Sequence, residues 1–159
     1  MKITAQEEYG LRVLIRIAAC KDRDGLSIPQ ITLAEGLSIH YVAKLTRILR
    51  IGGFINSTPG HKGGYVLARQ AQMIGIKSVL QVLGGVLFSD EFCGNHAGAL
   101  QLCTNSVDCS ARSLWNIIQV TVDELLDKIT LYDLVNTESD SSKIFSRFKD
   151  QKALISEIL

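Results

Sequence analysis

The stretch Ser27-Ile28-Pro29-Gln30-Ile31-Thr32-Leu33-Ala34-Glu35-Gly36-Leu37-Ser38-Ile39-His40-Tyr41-Val42 holds two helix starts and one stop. Ser27 opens the first helix. Its hydroxyl can meet free N–H groups, Pro29 fits the first turn, and Gln30 completes a Ser-x-x-Gln capping box. Ile31 and Leu33-Ala34 give this helix its apolar side, Gly36 closes it, and Leu37 tucks inward. Ser38 caps a second helix over about residues 39–51, in which Val42, Leu45 and Leu49 recur at core spacing. His40, Tyr41, Lys44, Arg47 and Arg50 face other directions. Helix, glycine turn, helix is the helix-turn-helix plan, whose second helix enters the major groove of DNA.

The flanks support that plan. Upstream, Tyr9, Val13 and Ile17, with Leu14 and Ala18 beside them, predict a helix over 5–20 that ends in the polar run Lys21-Asp22-Arg23-Asp24-Gly25. Downstream, Gly52-Gly53-Phe54-Ile55 leads into a short strand. Gly60-His61-Lys62-Gly63-Gly64 forms a tight turn, and Tyr65-Val66-Leu67 returns as a second strand. This is a β-hairpin wing with a basic tip. Ile76, Val79-Leu80, Leu83 and Val86-Leu87 predict a helix over 75–88 that closes the domain.

Residues 89–112 look like a loop and hold Cys93, Cys103 and Cys109. From Ser113 to about Ile129, Leu114, Ile118, Val122, Leu125 and Ile129 form one stripe, widened by Trp115 and Leu126, with Asp123, Glu124 and Asp127 opposite. The stripe exceeds what a small front domain needs, so part of it is expected to pack on a partner helix. Thr130-Leu131-Tyr132-Asp133 opens a short helix to Val135. Residues 136–142 read as a polar linker, and 143–159 regain helical spacing. The expected fold is mainly α with a small β-hairpin: a winged helix-turn-helix at 1–88, a cysteine loop at 89–112, a dimerisation helix at 113–135, and a linker with a C-terminal amphipathic helix at 136–159.

Charge is divided along the chain. Residues 1–69 carry 10 Lys and Arg against 5 Asp and Glu, and residues 70–159 carry 7 against 11. A basic front and an acidic rear suit a nucleic-acid reader with a separate function behind it. No apolar run approaches a membrane span. The N-terminus has acids where a signal peptide would be apolar, so a cytoplasmic protein with no membrane partner is expected. Reduced thiols clustered in one loop point to a metal or an iron–sulfur cluster more readily than to a disulfide. No paired carboxylates, nucleophile–base set or phosphate loop emerges, and Gly60–Gly64 lacks the strand–helix setting of a nucleotide site, so no enzyme is expected. An electron carrier would have no use for the helix-turn-helix and wing.

With these elements in order, the chain resembles the Rrf2 (Rrf-two) family of bacterial regulators, which includes IscR-, NsrR-, RirA- and CymR-like proteins. The carriers are Met1-Lys2-Ile3-Thr4, Tyr9-Gly10-Leu11-Arg12-Val13-Leu14, Ser27–Ile31, Leu37–Val42, Gly60–Arg69, Cys109–Trp115 and Ile129–Val135. The resemblance implies a homodimeric winged-helix repressor or activator on double-stranded operator DNA. Its cluster-bearing members hold a 2Fe-2S or 4Fe-4S cluster that senses redox state, nitric oxide or iron supply. By position the ligands here are Cys93, Cys103 and Cys109. Two departures matter. The first gap is nine residues, longer than in the best-known members, and Arg112 replaces the histidine that follows the last cysteine in IscR-like proteins. Arginine does not deprotonate to bind metal. The fourth ligand is then Glu8 from the other subunit, as in NsrR-like members, or His96 within the loop. Cys20, alone on the first helix, reads as a small buried residue.

Reading DNA needs cations for phosphates and donors for base edges. Ser38, His40, Tyr41 and Lys44 are assigned to the groove. Arg47 and Arg50 are assigned to phosphates or to pairing within the domain, and His61 and Lys62 to the flanking backbone or minor groove. Ala43 and Pro59 stand where IscR-like members carry a polar reader and a wing arginine. The competing readings are a structural zinc site built from the three cysteines and His96, and a cluster-free regulator that senses thiol state or a metabolite.

Overall fold

Thr4 starts the first helix, α1 (Ala5–Ala19), with a reciprocal cap. Its Oγ1 accepts from the Glu7 N–H at 3.2 Å, and Glu7 Oε2 accepts from the Thr4 N–H at 2.7 Å. The structure, a computed structural model, describes residues 3–59, 63–86, 88, 92–95, 103, 105 and 107–135. α1 buries Gly10, Val13, Leu14 and Ile17. Next come α2 (Ile28–Glu35) and α3 (Ile39–Ile51). Gly36 between them takes φ 66°, a left-handed conformation that glycine adopts without a Cβ penalty, and the chain reverses there. The carbonyl of Thr32 accepts from both Gly36 and Leu37 N–H, which completes the helix end.

The wing is β1 (Ile55–Ser57) and β2 (Tyr65–Leu67), antiparallel, with Ile55 opposite Leu67 and Ser57 opposite Tyr65. Its root is tied to the loop before α2, where Leu26 and Tyr65 exchange backbone bonds of 3.1 and 2.9 Å. Gly25 sits so close to the Tyr65 carbonyl, at φ 72°, that no side chain fits. A 3₁₀ turn at Ala71–Met73 leads to α4 (Ile76–Gly84), followed by a short α5 (Phe92–Asn95), a long α6 (Ser110–Leu126) and α7 (Leu131–Val135).

One core forms where α1, α3 and α4 meet. Val13, Leu14, Ile17, Val42, Leu45, Leu49, Val79 and Leu83 are buried there, with Ile31 of α2 and Phe54 and Ile55 of the wing. Thr46 is buried among them, and its Oγ1 donates to the carbonyls of Val42 and Ala43. α7 also joins this core. Leu131 is fully buried, its N–H donates to the Ile74 carbonyl at 2.8 Å, and Asp133 Oδ2 accepts from the Thr130 N–H and hydroxyl. The chain beyond α6 therefore returns to the winged-helix body.

α6 buries none of its residues. Ile118, Val122 and Leu126 are half-buried toward the body, while Leu114, Ile117 and Leu125 stay exposed. Lys77 of α4 anchors the helix through Asp127 at 2.9 Å and Asp123 at 3.5 Å. The hydrogen bond that Lys77 donates to Asp127, opposed by desolvation and aided by the charge of Asp123, raises the lysine above its ordinary value. Gln119 Oε1 accepts from the Phe88 N–H.

Several expectations are corrected. The fourth helix ends at Gly84, not 88, because Gly85 at φ 87° breaks it, and Val86 is exposed. The cysteine region is not wholly irregular, since Phe92–Asn95 form a helical turn and α6 begins at Ser110. Ile129 lies beyond the end of α6, and its carbonyl accepts from the Ile76 N–H. Leu33 does not face the core: it is 86 % exposed, and Ala34 is exposed too. In a helix of 3.6 residues per turn that buries Ile31, Leu33, two positions on, points to the opposite side. Cys20 is half-buried rather than buried. The readings of 136–142 and 143–159 lie outside the described residues.

Candidate nucleic-acid interface and thiol site

The core face of α3 dictates its opposite face. With Val42, Leu45 and Leu49 buried, the helical period leaves His40, Lys44 and Arg47 together on the outer side, all exposed, with Arg50 exposed on the flank. Ser38, exposed at the helix start, accepts from the Tyr41 N–H at 3.3 Å. Among the described residues Arg47 and Arg50 have no carboxylate partner, so their charges face solvent. Tyr41 behaves differently. It is half-buried, its ring meets Tyr9 of α1 edge-on at 6.0 Å, and the Lys44 ammonium lies 6.0 Å from its centroid.

The base of the wing is closed by Thr58. Its hydroxyl donates to the Asp24 carbonyl and accepts from the Gly64 N–H, both at 2.8 Å. Between wing and α2 runs an open cleft of about 370 Å³ lined by Ser27, Ser57, Thr58 and the Gly63–Gly64 backbone. Sequence reasoning missed it, because nothing local links Ser27 to Ser57. Gly60, His61 and Lys62 at the wing tip lie outside the described residues.

Cys93 lies in α5, Cys103 in the following segment, and Cys109 caps α6. All three are free thiols, half-buried. Cys109 Sγ accepts from the Arg112 N–H at 3.4 Å, and the Arg112 guanidinium donates to the Asn105 carbonyl at 3.4 Å. Backbone donors aimed at sulfur are among the protein's means of tuning a thiolate-bound iron site. Arg112, which replaces a histidine in the pattern above, thus braces the loop. Glu8 is exposed on α1, and His96 lies outside the described residues. Among the described residues, no three His, Cys, Asp or Glu side chains converge in a single copy to hold a metal ion.

A cationic outward helix beside a hairpin wing, on a body that leaves α6 half-exposed, defines a winged-helix DNA-binding protein. Comparison with known proteins agrees. The model of the Rrf2 family, described as "Iron-dependent Transcriptional regulator", matches residues 3–137. Protein rrf2 of Nitratidesulfovibrio vulgaris is 33 % identical over 139 residues, covering 87 % of this chain and 90 % of the relative. The HTH-type transcriptional regulator CymR of Bacillus subtilis is 32 % identical over 136 residues, covering 86 % and 91 %. The solved structure of T. potens IscR superposes with a TM-score of 0.65 at 26 % identity, covering 85 % of this chain and 86 % of that one. The chain belongs to the Rrf2 family. It is a DNA-binding transcriptional regulator and not an enzyme. Among the described residues no helix is long and apolar enough to cross a membrane.

Proposed function

We propose that the chain works as a cytoplasmic homodimer whose affinity for operator DNA is set by an iron–sulfur cluster held by Cys93, Cys103 and Cys109, with Glu8 of a second copy as the fourth ligand. The observation that carries this reading is the thiol set itself. Three unpaired, partly accessible cysteines occupy one segment, and the last is seated at the start of α6 with a backbone N–H on its sulfur. Soft thiolates of this kind suit iron–sulfur chemistry. Such a group, when bound, supplies a centre responsive to oxidants, nitric oxide or iron supply.

The chain's own residues do the rest. His40, Lys44 and Arg47 face the groove and its phosphates, with Ser38 at the helix start. Arg50 extends the basic surface, and His61 and Lys62 are assigned to the flanking backbone or minor groove. The exposed flank of α6, with Leu114, Ile117 and Leu125, is the surface on which a second copy would pack, placing two reading helices at symmetric half-sites. Glu8 on α1 and Cys109 on α6 belong to different elements, so joining them across two copies would restrain the reading heads relative to the dimer helices.

Anaerobic purification followed by visible absorption and iron, sulfide and zinc analysis tests the reading. Brown protein with iron and sulfide is expected. Replacing the three cysteines with serine should remove both the colour and the dependence of DNA affinity on the signal. Glu8→Ala should alter the cluster spectrum, and an unchanged spectrum removes Glu8 from the ligand set. CymR among the relatives sets the second outcome: colourless, iron-free protein whose DNA affinity follows thiol oxidation or a metabolite would replace the cluster reading. Colourless zinc protein would point to a structural metal.

A further inference from the structure

α1 grips both limbs of the helix-turn-helix on either side of its turn. Glu35, the last residue of α2, has only 3 % of its side chain exposed. Arg12 Nε donates to Glu35 Oε2 at 3.0 Å, Arg12 Nη2 lies 2.9 Å from the same oxygen, and Arg16 Nε donates to Oε1 at 2.7 Å. Both carboxylate oxygens are therefore held by guanidinium groups from α1. The Arg12 guanidinium also lies 5.5 Å from the centroid of Tyr9, and Tyr9 meets Tyr41, in the first turn of α3, edge-on. One helix face thus holds α2 immediately before Gly36 and α3 immediately after Ser38.

Charge alone does not explain this arrangement. A carboxylate repels phosphates, and here it offsets the charge of one of the two arginines it joins. A carboxylate withdrawn from solvent and held on both oxygens fixes the relative placement of the helices it joins. We infer that Glu35 is a positioning residue for DNA reading: clamped by Arg12 and Arg16, and seconded by the Tyr9–Tyr41 contact, it sets the angle between α2 and α3 and so aims the start of the reading helix. This depends on the family's DNA-binding plan and not on what the loop cysteines hold.

The test uses the full chain, a duplex selected by the wild-type protein from a randomised pool, and poly(dI-dC) as non-specific DNA. Glu35→Gln should weaken binding to the selected duplex on the order of tenfold, with an unchanged salt slope, while binding to poly(dI-dC) holds or tightens. Electrostatics alone predicts the opposite sign on the selected duplex. Arg12→Gln should show the same pattern, and Arg12→Gln with Glu35→Gln should cost no more than either alone. Tight binding of the selected duplex by Glu35→Gln, an equal loss on both DNAs, or a salt slope in Arg12→Gln reduced by about 0.9, the value of one neutralised phosphate, would each overturn the inference. If Glu35→Gln does not fold, Tyr9 decides. Tyr9→Phe, which keeps the ring edge, should retain selective binding and Tyr9→Leu should lose it; equal behaviour of the two overturns the positioning role.

Discussion

Replacing Gly10 by alanine should destabilise the protein, although alanine is the better helix former. Gly10 is buried on α1 where that helix crosses α4. A Cβ at this position would lie 2.8 Å from Leu83 Cδ1 and 3.1 Å from its Cγ, and closer still to Cδ2. Carbon atoms prefer about 3.5–4.0 Å, so the helices must part or Leu83 must move by about an ångström or more. Leu83 is only 1 % exposed and shares its face with buried Ile76 and Val79, and its carbonyl accepts from the Gln6 side-chain amide. The gain in helix propensity is about 1 kcal/mol, and overpacking costs about 1–3 kcal/mol. Contacts this short place the cost in the upper part of that range, about 2–3 kcal/mol, so a net loss of about 1–2 kcal/mol follows, seen as a fall in Tm of about 2–8 °C. Denaturant melts and calorimetry of Gly10→Ala measure it. A second background supplies the sign test. Once Leu83→Ala removes the obstructing methyls, Gly10→Ala should become neutral or stabilising by up to about 1 kcal/mol. A Gly10→Ala protein as stable as wild type, or the same penalty in both backgrounds, would refute the close-packing argument.

Arg47→Ala should reduce the salt slope of DNA binding by about 0.9 for each phosphate it leaves unneutralised while changing stability by no more than about 0.5 kcal/mol; fluorescence anisotropy over a salt series reads both the slope and the affinity, and an unchanged slope shows that Arg47 does not touch the phosphates. Lys77→Met should loosen α6, raising amide exchange along that helix. Because the Lys77 pKa is raised in the folded state, its contribution is fully present below the unfolded value of about 10.4 and is lost as pH climbs through the folded value. The difference in urea midpoint between wild type and Lys77→Met should therefore stay level from neutral pH to about 9 and shrink above it, and added salt should shrink it at every pH.

Local order was enough for the helix boundaries that rest on hydrogen bonds three or four residues long. Gln30 Oε1 accepts from the Ser27 N–H and hydroxyl, and Asp133 does the same for Thr130, where the spacing placed them. Gly36 turns the chain where its backbone freedom allowed. The start of α6 was not legible because its cap is a cysteine, whose sulfur is a weak acceptor and no ordinary helix signal. Leu33 misled for a related reason. In a helix of eight residues, composition cannot say which of two adjoining sides will find a neighbour.

The interface divides in the same way. That α3 would carry its cations away from the core follows from a 3.6-residue period acting on Val42, Leu45 and Leu49, and needs no partner element. That Tyr41 turns back to Tyr9, that Glu35 is locked by Arg12 and Arg16, and that α7 re-enters the core beside Ile74 depend on groups distant along the chain. Periodicity and capping are short-range properties written into neighbouring residues. Burial of a carboxylate between two arginines, or of a leucine between helices, exists only once packing has brought separate segments within a few ångströms, and at that scale the orientation of the reading helix is set.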